Sequence, residues 1–147
     1  MKRASIFCQG VTAMKVWGGI LVAILIGAST LLLAQEQKPN VTVPKYDPAT
    51  ETNFKGTVDE VRDRECPVSN GMGAHVVLKM ADGKAIEVHL ATTKFVKSYE
   101  LAFSKGDQLE VTGTKVKFEG VDTIFAREVK RGGDTFVFRD KDGKPIW

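Results

Sequence analysis

HVVLKMADGKAIEVHL, residues 75–90, is the stretch on which the fold turns. Two short alternating runs flank the break Ala81-Asp82-Gly83, which fits a three-residue hairpin loop with Gly83 in the left-handed position of a bulge. That register opposes Met80 to Lys84, Leu78 to Ile86, Val76 to Val88 and His75 to His89. It also gathers Val76, Leu78, Met80, Ile86, Val88 and Leu90 on one face. A two-residue Asp-Gly loop would pair Leu78 with Glu87 and mix polar with apolar residues on both faces. A one-residue slip exchanges the faces of a strand, so burial selects the three-residue loop. The chain's only two histidines then sit opposite each other on the second face, beside the Val77–Glu87 pair.

Working outward, FKGTVDEV (54–61) reads as a preceding strand. Val61 is out of phase with Phe54, Gly56 and Val58, which predicts a bulge near Asp59–Val61. Residues 62–74, RDRECPVSNGMGA, read as a loop. TTKFVKSYELAF (92–103) reads as a short helix capped by Thr92 or Thr93, with Phe95, Tyr99 and Phe103 at four-residue spacing. After the Lys105-Gly106-Asp107 turn come strands over 108–118 and 123–131. A tail hairpin follows, 135–139 and 144–147 around an Asp140–Gly143 turn. Five short strands with one helix between the third and fourth predict an all-β, five-stranded OB-fold-like Greek-key barrel with a C-terminal β-hairpin extension.

The segments FKGTVDEV, HVVLKMADGKAIEVHL, KGDQLEVTG and FAREVKR resemble small exported bacterial OB-fold proteins, including the BOF family of periplasmic barrels, over residues 54–131. The resemblance implies a non-enzymatic envelope protein that binds small or cationic ligands, and in an OB-fold the second and third strands form the usual ligand surface.

The chain has 147 residues, 21 Lys and Arg against 18 Asp and Glu, and a net charge of +3. Residues 1–34 hold Lys2, Arg3 and Lys15 and no acid, so the remainder is balanced, which disfavours a nucleic-acid-binding OB-fold domain, the second alternative that the fold permits. The basic start followed by the uncharged run Val16–Ala34 has the order of an export signal. It is long enough for two readings: a removed signal peptide, or an anchor that attaches the chain to the inner membrane through residues 16–34. Either places the rest of the chain in the periplasm. Residues 35–52, with three prolines, read as a linker, 53–131 as the barrel and 132–147 as the extension.

No catalytic signature is present, and a non-enzymatic module is expected. His75, Glu87 and His89 form the candidate ligand surface for an envelope ligand or protein partner, with Cys66 at its rim. Opposed strand residues have Cβ atoms about 4.5–5.5 Å apart, close enough for two imidazoles to share an ion. Cys66, His75 and His89 are therefore also a candidate metal set. Two nitrogens and a soft sulfur suit zinc or copper. Ordinary strand decoration is the competing reading of the same residues. Asp140-Lys141-Asp142-Gly143 opens like a calcium loop but lacks the downstream acid, and reads as a hairpin turn. Trp147 is expected to pack against the barrel end.

Overall fold

A computed structural model describes residues 41–147. The expectations for the leader, 1–34, and for the first part of the linker lie outside the described residues. Among the described residues no helix is long and apolar enough to cross a membrane.

The domain is mostly β: β1 (Thr52–Cys66), β2 (Gly71–Met80), β3 (Ala85–Thr92), α1 (Thr93–Ser98), β4 (Gln108–Phe118), β5 (Val121–Arg131) and β6 (Asp134–Val137). The strands lie in the order β3-β2-β1-β4-β5-β6, and an additional β3–β5 pairing returns the sheet on itself. That last pairing is parallel and short, Glu87 to Thr123 through His89 to Phe125.

The central hairpin has the register that burial selects. Val76 opposes Val88, Leu78 opposes Ile86 and His75 opposes His89. Gly83 takes φ +80°, and its N–H donates to the Met80 carbonyl. The bulge in β1 falls between Val58 and Glu60, as the phase break there predicts. In the core, Val58, Val76, Leu78, Val88, Leu90, Val111, Ile124 and Phe138 are fully buried in one apolar cluster. Each such side chain contributes about 1.5–3 kcal/mol relative to exposure.

Three expectations are corrected. Residues 62–74 are not a loop: β1 continues to Cys66 and β2 begins at Gly71, with one 3-10 turn, Pro67–Ser69, between them. The charged run Arg62–Glu65 looks like a loop but alternates along a strand paired to β2 through Arg62–His75 and Cys66–Gly71. The helix is also shorter than 92–103. Thr92 caps it, its hydroxyl accepting from the Phe95 N–H, but Glu100 at φ +54° turns the chain before Phe103 can join. The second half of the expected linker is part of the domain. Val41 and Tyr46 pack against Cys66, Phe118 and Phe125, and Thr50 hydrogen-bonds Thr114.

β4 and β5 approach closely where a register shift falls between Thr112 and Gly113. A Cβ at Gly113 would lie 2.3 Å from the Phe125 carbonyl oxygen and 3.1 Å from Ala126 Cα, both backbone atoms. Gly113→Ala is therefore expected to destabilise the fold by about 2–3 kcal/mol, the upper part of the overpacking range. Urea unfolding checks this, and an unchanged midpoint would mean that the strands part at little cost.

Candidate metal centre

The face of the hairpin that points away from the main apolar core is where sequence and structure differ most. His75 and His89 were expected on an open ligand surface; both are 0% exposed. The reason lies in the neighbouring segments. Pairing of β3 with β5 sets Phe125 beside His89, with ring centroids 5.8 Å apart. Ser69 reaches over from the Pro67–Ser69 turn, and its hydroxyl lies 2.8 Å from His89 Nε2. Trp147 comes from the tail to stand 5.7 Å from the His89 ring. Trp147 thus stands beside His89 as well as packing against the main apolar cluster.

Cys66 ends β1 and is also buried. One ligand-type atom from each of Cys66, His75 and His89 lies within 4.8 Å of the other two. Structure therefore brings together the three residues of the candidate metal set. The two rings meet edge to face, with centroids 4.9 Å apart. Gly73, from the run expected to be a loop, makes the room. A Cβ there would lie 2.9 Å from His75 Nε2, 2.8 Å from Ser69 Oγ and 3.0 Å from Cys66 Cβ.

Glu87 serves the cluster from outside it. Its Oε1 lies 2.6 Å from His75 Nδ1 and accepts from Arg64 Nε at 2.9 Å, while Arg64 Nη1 donates to Glu119 at 3.0 Å. The His75 ring beside it, together with Arg64 and against the effect of burial, holds the Glu87 carboxyl down at about 2. A carboxylate at Nδ1 favours the proton on that nitrogen and leaves a bare lone pair on Nε2. Ser69 Oγ lies 2.8 Å from His89 Nε2 and 3.5 Å from the Ala91 carbonyl oxygen; with the Ser69 hydroxyl on that carbonyl, Nε2–H would donate to Oγ and Nδ1 would be left bare. His75 Nε2 and His89 Nδ1 are both buried without a hydrogen-bond partner. An unpartnered buried polar atom costs about 1–3 kcal/mol, so two in one pocket are a sizeable expense for decoration alone.

Electrostatics set the protonation. Burial, with His75 adjacent, pushes His89 down to about 3, so its ring is neutral over the physiological range. Burial pushes the Cys66 thiol up. A neutral His89 imidazole is a form that can ligate a metal, and the Cys66 thiol would lose its proton as an ion enters. Carboxylate–histidine contacts such as Glu87–His75 orient a ligating ring and raise its basicity.

Ser69, Gly73, Phe125 and Arg139 are site neighbours that sequence reasoning missed. Arg139 is 4% exposed, and its guanidinium carbon lies 4.8 Å from the Trp147 ring centroid, 5.1 Å from Tyr46 and 5.8 Å from Phe125. Its Nη1 donates to the Gly143 carbonyl at 3.1 Å, and its Nε has no partner. Burial lowers it to about 10, so it stays charged at neutral pH. The expected turn lies beneath it, the Asp140 carboxylate accepting from the Asp142 and Lys144 N–H groups, but the expected tail hairpin is reduced to one bridge, Arg139–Pro145, because β6 pairs with β5 instead.

Residues 50–136 match the MamS/MamX magnetosome protein family. No curated protein matches the chain. Cys66, His75, Glu87 and His89 fall inside the matched span, whereas Arg139 and Trp147 lie beyond it.

Proposed function

We propose, for a chain that belongs to the MamS/MamX magnetosome protein family, that Cys66, His75 and His89 hold one transition-metal ion of the zinc or copper class within an exported, OB-fold-like barrel. The observation that carries this is the convergence of one ligand-type atom each from buried Cys66, His75 and His89 within 4.8 Å of one another, each histidine also having a buried ring nitrogen without a hydrogen-bond partner. Decoration of a strand leaves imidazoles in water, where their lone pairs are solvated; these two are sealed from it. A metal would take both lone pairs and the thiolate, while Glu87 and Ser69 keep the rings aimed. The strand order, with β3 beside β5, supports the OB-fold-like reading of the barrel. Location in the envelope rests on the basic, apolar leader, and the family's name supports a place at the magnetosome.

An organic ligand at the hairpin face is the weaker reading, because the histidines offer it no accessible surface. Metal content separates the two. The full-length chain, purified without a chelating tag and offered zinc and copper, should retain close to one ion per molecule by elemental analysis. The Cys66→Ala, His75→Ala, His89→Ala triple variant should retain none while keeping its β-sheet circular dichroism. Equal metal in both proteins, or none in either, would remove the metal reading.

A further inference from the structure

The cluster has a buried positive charge as a neighbour. Arg139 is sealed among aromatic rings, and among the described residues no carboxylate pairs with it. Two of those rings, Trp147 and Phe125, are the same two that flank His89, at 5.7 and 5.8 Å between centroids. The guanidinium and the ligand imidazole thus pack on one shared aromatic pair, and both are almost fully buried. Positive charge there works against any ion that adds positive charge.

The donor count gives a second constraint. Cys66, His75 and His89 come together without a fourth Cys, His, Asp or Glu among the described residues. All three are at most 2% exposed. Zinc is almost always four-coordinate, and a three-ligand zinc site keeps a water or substrate in the open position. A soft thiolate with two imidazoles in a dry pocket fits monovalent copper instead.

We infer that the site selects monovalent copper, with Arg139 as the residue that discriminates against divalent ions. This rests on the metal reading above and refines it by charge. When Cu⁺ enters, the Cys66 S–H bond breaks, the proton leaves to solvent and an Sγ–Cu bond forms. One positive charge replaces another, and copper stays monovalent throughout. When Zn²⁺ enters by the same exchange, the pocket gains a net positive charge facing Arg139. At separations of about 10 Å and an effective dielectric near 20, one unit charge changes affinity roughly tenfold.

The test measures Cu⁺ and Zn²⁺ affinities of the full-length chain without oxygen, each ion against a chromogenic chelator of its own, in the wild type, Arg139→Lys and Arg139→Met. Arg139→Met should bind Zn²⁺ roughly tenfold more tightly with Cu⁺ affinity changed less than about threefold, and Arg139→Lys should leave both where they were. X-ray absorption of the wild type should show three-coordinate copper with one sulfur neighbour. Equal shifts for both ions in Arg139→Met, or none, would overturn the charge selection while leaving the metal site standing. Binding of neither ion by the wild type would instead remove the metal reading itself. Should Arg139→Met fail to fold, competition on the wild type decides: copper retained against excess Zn²⁺ in three-coordinate form supports the inference, and displacement by Zn²⁺ overturns it.

Discussion

Loading with copper is expected to raise the melting temperature of the protein by about 15–30 °C, and Cys66→Ala is expected to erase the rise. The size follows from linkage. A ligand that binds only the folded state stabilises it by about 4 kcal/mol when its free concentration is a thousandfold above the dissociation constant. In a domain of this size each kcal/mol moves the midpoint by about 4–8 °C. The geometry makes the premise of folded-state binding a strong one. Cys66 reaches the site from the end of β1, His75 from β2 and His89 from β3, so unfolding disperses the set. Metal-free protein also leaves two buried nitrogens unsatisfied, a cost the ion relieves. Scanning calorimetry of the metal-free and loaded protein checks this. A rise of only a few degrees at full occupancy would mean that the ion sits on a surface, or binds the unfolded chain nearly as well.

The hairpin was legible in the sequence because one physical requirement, an unmixed apolar face, selects a single loop length. Pairing of His75 with His89 follows from that choice and holds in the structure. The family of the ligand set was legible for the same reason, since Cys66 lies only nine residues before His75. Burial of the set was not. An alternating strand looks the same whether its second face meets water or another layer, and that layer is supplied here by distant segments. Ser69, Phe125 and Trp147 cover His89 from a turn, a strand and the tail. Strand β1 was cut short for a related reason. Arg62, Asp63, Arg64 and Glu65 are poor strand formers by composition, yet Arg64 is held in place by Glu87 and Glu119 across the sheet. Arg139 was hidden among alternating charges in the tail, where nothing in the local pattern distinguishes it from the exposed Lys141. Ring contacts to Tyr46, more than ninety positions away, pull it inside.

Metal-free protein is expected to lose roughly 3 kcal/mol of stability between pH 6.5 and pH 4 through His89 alone. In the unfolded chain this imidazole has its ordinary value near 6.5, whereas burial and the adjacent His75 hold it at about 3 in the folded protein. Between those values the unfolded state binds a proton that the folded state refuses. Stability therefore falls as pH falls, by roughly 1 kcal/mol or slightly more per pH unit for one proton. Glu87 acts in the same direction but lower: its folded value of about 2 lies below its ordinary 4.5, so the stability it contributes is present above 4.5 and lost as pH drops toward 2. The two groups separate by window, because above pH 5 the carboxylate is ionised in both states and contributes almost no slope. Urea midpoints at pH 7, 6, 5 and 4 measure the sum, and His89→Gln isolates the imidazole. The variant should lose about one proton's worth of slope between pH 6.5 and 5 and retain the steeper decline below 4.5. An unchanged slope in His89→Gln would mean that the ring takes up its proton without unfolding, and that the pocket around it opens to water far more readily than its packing against Phe125 and Trp147 implies.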